Sequence, residues 1–227
     1  LPLLQGYGQT ETAPVVSANP PEKVKLDTVG PLFHGVNVKI ADDGEILVSG
    51  ENVMNGYWND PDATSKTLIN GWIHTGDIGE FDEEDYLKIT DRKKDILVNA
   101  GGDNISPSRV EAKLDIVPEI AQSMLYGDFK NYLVAVIVPD KDFALNWAKE
   151  NSKDQNLESI VKEDDFNKII KEIVNRVNKN LSVIEQVRKF ILIDHEFTIE
   201  NSMMTPSMKV RRFVVKDKYG DQLEQLY

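Results

Sequence analysis

Four short stretches of the sequence bring together residue types suited to phosphate, ribose and carboxylate chemistry. The first, Gly6-Tyr7-Gly8-Gln9-Thr10-Glu11, is a glycine-flanked turn where backbone can approach a flat ring. Within it Tyr7 could stack, the Thr10 hydroxyl could meet a phosphate, and the Glu11 carboxylate could hold a hard cation. Taken alone, a glycine-rich turn followed by Thr-x-Thr reads first as a structural turn. The second stretch, Trp72-Ile73-His74-Thr75-Gly76-Asp77, sets a carboxylate directly after a glycine at the end of a strand. Asp77 there can accept both hydroxyls of a ribose, or else the N–H groups of its own turn. His74, a lone histidine, reads as structural. The third stretch is Asp91-Arg92-Lys93-Lys94-Asp95, followed by Ala100-Gly101-Gly102: ionic residues at a boundary, then a turn. The fourth, Thr205-Pro206-Ser207-Met208-Lys209-Val210-Arg211-Arg212, is a basic patch on an acidic protein. It is either an exposed cationic loop or a way to bring Lys209 to a phosphate or carboxylate as a point charge.

The surrounding pattern predicts the elements that must hold these residues. Val36 to Ile40, Glu45 to Val48, Trp72 to His74 and Tyr86 to Thr90 read as strands separated by Gly, Asn and Asp. Asp42-Asp43-Gly44 is a hairpin turn, and so is the acidic run Asp82 to Asp85, which lacks the spaced ligands and central glycine of a calcium loop. Beyond Asp91 helices and strands alternate. Pro107 to Leu114 reads as a helix capped by Ser106, Ser123 to Gly127 and Tyr132 to Val138 as two strands around a turn, and Lys141 to Glu150 as a helix. Phe166, Ile169, Ile170, Ile173, Val174, Val177 and Leu181 recur at helical spacing behind Asp164 and Asp165, which marks core packing. Phe190 to Ile193 is a short strand and the tail from Arg211 is helical. The expected fold is α+β, with a strand-rich region over residues 1–90 and a compact α+β domain over 91–227.

Composition narrows the partners. Lys plus Arg is 26 against 38 Asp plus Glu, a formal charge of −12 that repels phosphate backbones and anionic lipid, so nucleic acid is not expected. Cysteine is absent, which removes disulfides, Cys metal sites and thiol nucleophiles and fits a reducing cytoplasm. The longest apolar run, Tyr132 to Val138, is too short to cross a bilayer, and no secretory pattern opens the chain; peripheral membrane contact stays open. The chain begins at Leu1, not methionine, and runs at once into a dense motif, as a piece of something longer would.

Taken together and in order, the motifs resemble the adenylate-forming (AMP-binding) superfamily. The stretch from Asn70 to Gly79, running on through Leu87-Lys88-Ile89-Thr90-Asp91-Arg92-Lys93-Lys94, is similar almost residue for residue to the signature of fatty acyl-CoA synthetases. Gly6 to Glu11 resembles the superfamily's adenine and phosphate motif, and Gly44-Glu45-Ile46 with Gly50 and Gly56-Tyr57 resembles a structural motif between them. Lys209 falls where the superfamily keeps its C-terminal lysine. The resemblance implies a long-chain fatty acid–CoA ligase using ATP, Mg²⁺ and CoA: a carboxylate is first converted to acyl-adenylate, and a CoA thiol then displaces AMP. It implies adenine contacts for Gly6 and Tyr7, the α-phosphate region for Thr10, Mg²⁺ for Glu11, and the ribose for Asp77 with Arg92. Asp91 would be the hinge, Gly101 and Gly102 would face thioester formation, and Lys209 would serve adenylation.

Two departures qualify this. Glu83 and Asp85 stand where the related synthetases usually have Pro and Gly. The superfamily's Ser/Thr/Gly-rich phosphate loop and the acyl tunnel are not in the sequence. The chain alone is therefore expected to be inactive. The alternatives are a ligase for another carboxylate, or a non-catalytic fragment binding nucleotide or a partner; the presence together of Asp77, Arg92 and Lys209 argues against the latter.

Overall fold

The computed structural model describes residues 3–227; Leu1 and Pro2, which open the expected first region, lie outside it. The chain divides into two compact units, Leu1–Asp95 and Ile96–Tyr227.

In the first unit β1 (Gly6–Gly8) pairs antiparallel with β2 (Val15–Ala18). A single 3-10 turn, Thr10–Thr12, lies between them, its buried Thr12 hydroxyl accepting the Gln9 N–H at 3.0 Å. The main sheet holds β3 (Val36–Ile40), β4 (Glu45–Gly50), β5 (Leu68–Ile69), β6 (Trp72–Phe81) and β7 (Leu87–Arg92), in the order β3-β4-β6-β5 with β7 also on β6. Helix α1 (Pro61–Thr67) precedes β5, capped by the Asp60 carboxylate at the Ala63 N–H. Asn70-Gly71 joins β5 to β6 with both residues at positive φ (52° and 79°), the two-residue turn whose twist suits a hairpin. The core is Val16, Ile46, Val48, Ile73 and Leu87.

The β6–β7 turn shows how the sequence departure is absorbed. Asp82 Oδ1 accepts the N–H groups of Glu84 (2.9 Å) and Tyr86 (3.0 Å), closing the turn with a side chain. Asp85 takes φ 60°, left-handed backbone that Asp tolerates better than most residues.

The second unit opens with the hairpin β8 (Leu97–Val98) and β9 (Asn104–Ile105), followed by α2 (Pro107–Asp115). A three-stranded sheet follows: β10 (Ile120–Tyr126) antiparallel to β11 (Leu133–Pro139), which lies parallel to β12 (Val187–Leu192). The parallel pair needs a crossover, supplied by α3 (Lys141–Glu150), α4 (Leu157–Ile160) and α5 (Asp164–Asn178). Helix α6 (Arg212–Glu224) ends the unit. Alternation along β11 separates two cores. Leu133, Ala135 and Ile137 face α2, α3 and α5, while Val134, Val136 and Val138 face α6 and Met203. The mixture of sheets and helices is the expected α+β class, and among the described residues no helix is long and apolar enough to cross a membrane.

Candidate functional site

The β6–β7 register sets Asp77 opposite Arg92, and the Arg92 Nε lies 2.7 Å from Asp77 Oδ1. From β1 the Tyr7 hydroxyl donates to Asp77 Oδ2 at 2.6 Å, and the Gln9 amide donates to the same oxygen at 2.8 Å. Gln9 also donates to the Thr75 carbonyl at 3.0 Å, which fixes its orientation. Thr75 donates to the Ile46 carbonyl (2.7 Å) and accepts the Asp77 N–H (3.1 Å), so strand β4 sets the height of the carboxylate. Only 3% of Asp77 is exposed. Burial and then the Asp77 hydrogen bond push the Tyr7 phenol well above its ordinary range, so it remains a donor.

An ionised carboxylate has about four acceptor positions, and three are filled here. One more donor fits directly. Gln9 also borders the adjoining cleft.

That cleft has a volume of about 750 Å³, and its wall carries Thr10, Glu11, Tyr57 and three cations, Lys66, Arg92 and Lys93. Glu11 is half-buried, and its Oε1 accepts the Tyr57 hydroxyl at 2.7 Å, which raises the Tyr57 phenol. The 9–12 turn is tied down by Asn52, which donates to the Thr12 carbonyl at 2.9 Å, and by the Met54 N–H on the Glu11 carbonyl at 2.9 Å. A second buried carboxylate, Glu45, accepts from Lys93 (2.9 Å) and from the Gly76 N–H (2.9 Å), with His74 Nδ1 at 3.2 Å. Burial by itself would raise the Glu45 carboxyl; Lys93, the Gly76 N–H and His74 outweigh it and hold the group below the usual range. The cleft wall thus carries charges of both signs, with Arg92 paired to Asp77 and Lys93 to Glu45.

Gly101, Gly102 and Lys209 lie in the second unit. Gly101 and Gly102 form the β8–β9 loop, held by Asn99 Oδ1, which accepts the N–H groups of Gly101 and Asp103, each at 2.9 Å. Gly102 has φ +87°, the left-handed region open to glycine. Lys209 is exposed near the tip of a tight loop closed by the Met204–Val210 bridge, with its N–H on the Thr205 hydroxyl at 3.1 Å. The stem residues of the two loops pack on opposite faces of the β10–β12 sheet: Leu97 and Ile105 on one, Met204 and Val210 on the other.

The structure thus brings Tyr7, Asp77 and Arg92 into one network and sets Thr10 and Glu11 on the adjacent cleft wall, with Gly6 at the start of β1. The contacts of Gln9 with Asp77 and of Lys93 with Glu45 are not evident from sequence. Gln9 lies inside a recognised motif, but nothing local indicates that its amide reaches residue 77. The Glu45–Lys93 pair joins positions 48 apart in the chain.

Residues 1–58 match the AMP-binding enzyme family and residues 94–227 match the AMP-binding enzyme C-terminal domain. The chain is 37% identical over 229 residues to a long-chain-fatty-acid–CoA ligase of Mycobacterium tuberculosis, covering 100% of this chain and 38% of that protein. It is 32% identical to long-chain-fatty-acid–CoA ligase 1 of Homo sapiens, over 98% of this chain and 34% of that one. The chain therefore spans little more than a third of these relatives. Among solved structures it resembles the adenylation domain of a carboxylate reductase from Mycobacterium chelonae, with TM-score 0.78 and 26% identity over 99% of this chain and 34% of that one. It also resembles the o-succinylbenzoate CoA synthetase of Bacillus subtilis in complex with its acyl-adenylate intermediate, with TM-score 0.72 and 27% identity over 96% of this chain and 41% of that one.

Proposed function

Because the chain belongs to the AMP-binding enzyme family, we propose that it is the C-terminal portion of an ATP-dependent ligase that joins a long-chain fatty acid to CoA in the cytoplasm. The observation that carries this reading is sequence identity with long-chain-fatty-acid–CoA ligases along the whole chain. In the first half-reaction a carboxylate oxygen bonds to the α-phosphorus of ATP and pyrophosphate leaves. In the second the CoA sulfur bonds to the acyl carbon and AMP leaves with the mixed-anhydride oxygen.

Each residue is assigned a part. Gly6 and Tyr7 border the adenine, and Asp77 with Arg92 holds the ribose. Thr10 contacts the α-phosphate. Glu11 fits Mg²⁺, which takes one or two carboxylates together with nucleotide phosphates. Among the described residues no group of three or more His, Cys, Asp or Glu gathers to hold a metal, so the ion's remaining ligands would come from the nucleotide and water. When bound it would offset phosphate charge. Lys209 stabilises the two anions that adenylation brings together, and the Gly101–Gly102 loop admits the thiol arm of CoA. Asp91 is the hinge between half-reactions.

The test is fatty-acid-dependent exchange of pyrophosphate into ATP by the full-length protein, with a panel of carboxylic acids and the 227-residue chain alone as the negative arm. Exchange highest with long-chain acids is the expected result, and none with any fatty acid overturns the reading. Preference for an aryl or short acid would favour the second reading, a ligase for another carboxylate, which the likeness to the o-succinylbenzoate enzyme supports.

A further inference from the structure

The loop that carries Lys209 is exposed at its tip, and Met208 within it sits at φ 60°. An exposed loop does not by itself hold a cation where chemistry needs it. Its base, however, is fastened. On the incoming side Met203 is buried at 2% exposure, and its carbonyl accepts the Arg211 N–H at 2.7 Å. On the outgoing side Arg212, three residues after Lys209, turns its guanidinium inward onto Glu111 of α2. One nitrogen lies 2.6 Å from Oε1 and the other pairs with Oε2. Glu111 is 8% exposed, and its Oε1 also accepts the Leu125 N–H of β10 at 2.6 Å. One carboxylate thus joins α2, β10 and the first residue of α6.

Helix stability does not account for this arrangement. Arg212 is the first residue of α6, where the macrodipole disfavours a cation, and the helix has neither a side-chain cap nor an acidic residue in its first turn. Val215, Tyr219 and Leu223 already dock the helix on the core. A buried ion pair contributes little net stability, whereas fixing register is its best-attested use. We propose that Glu111 and Arg212 are positioning residues for Lys209, clamping the base of its loop so that the ammonium is presented in a fixed place for adenylation.

The proposal rests on the role assigned to Lys209, and the test separates the two. In the full-length enzyme, Arg212→Met should lower the turnover of fatty-acid-dependent pyrophosphate exchange by about 100-fold, the scale of a 1 Å misplacement, with KM for ATP little changed. Glu111→Gln should do the same. Thioester formation from supplied acyl-adenylate should fall far less. Arg212→Lys keeps the charge but cannot grip both oxygens, so it should recover part of the loss; should Arg212→Met fail to fold, Arg212→Lys carries the test through the same selectivity. The double variant Lys209→Ala/Arg212→Met should be no slower than Lys209→Ala, because a clamp has nothing left to position. Equal loss in both half-reactions, or losses that multiply in the double variant, would overturn the clamp. A slow Lys209→Ala beside an unimpaired Arg212→Met overturns the clamp alone. An unimpaired Lys209→Ala overturns the role of Lys209 and the clamp with it.

Discussion

A carboxylate shielded from water and already meeting three donors is not a free acceptor awaiting a ligand. Asp77 is such a group, gathering Tyr7, Gln9 and Arg92. Replacing it with alanine leaves the guanidinium, whose side chain is 47% exposed, to be solvated by water, so the fold should survive. The loss should appear in nucleotide binding. Hydrogen bonds to a charged acceptor contribute roughly 1.5–3 kcal/mol each, so Asp77→Ala in the full-length protein should raise the Kd for ATP about ten- to a hundredfold. Calorimetric titration with ATP, beside a thermal melt of the same sample, checks this. An unchanged Kd would return Asp77 to the role of a turn residue holding its neighbours.

Two loops of the second unit, hung from opposite faces of one sheet, carry the residues assigned to different half-reactions. Lys209→Ala should depress acyl-adenylate formation at least ~100-fold, as loss of one charge-stabilising group does, while largely sparing the reaction of supplied acyl-adenylate with CoA. A bulky residue at Gly101 should do the reverse. A Cβ there would come within 3.2 Å of Asn99 Oδ1, the atom that holds the loop, so a larger side chain both displaces that tether and fills the backbone's approach. Pyrophosphate release and thioester formation, measured separately for both variants, decide the matter; equal losses throughout would exclude separate roles for the two loops.

Each unit has its own core, Val16, Ile46, Val48, Ile73 and Leu87 in the first and the two faces of the β10–β12 sheet in the second. Asp91 lies within β7 and is only 8% exposed, whereas Lys94 just beyond is exposed. Brief trypsin treatment of this chain should therefore cut after Lys94 and leave a stable piece near residues 95–227, read by mass spectrometry. Early cleavage inside 107–195 with an intact junction would count against two independently folding units. Stability should also vary with pH through Tyr219, whose burial, and secondarily Asp194, pushes its phenol from 10.0 to about 12. A raised folded value gives stabilisation that is complete below pH 10.0 and lost as pH rises from there through about 12. Over that window the native chain should lose on the order of 1–2 kcal/mol more than Tyr219→Phe, which cannot ionise there. Urea unfolding at pH 9 and pH 12 measures the difference, and parallel losses would rule the phenol out.

What the sequence by itself determined is local in origin. The helix over Lys141–Glu150, the stripe in α5 and the Ser106 cap follow from spacing of a few residues, and the order of motifs along the chain points to the family. Strand ends were less legible: β10 begins at Ile120 rather than Ser123 and β6 continues to Phe81, because ladder partners, not propensity, decide where a strand stops. Only the tertiary structure decided who meets whom. That Gln9 reaches Asp77, that Lys93 locks Glu45, and that Arg212 grips a carboxylate 101 positions away are consequences of strand register and helix docking. A charged side chain reveals its type in the sequence but not its partner, since the partner depends on which distant backbone the hydrophobic core brings within about 3 Å.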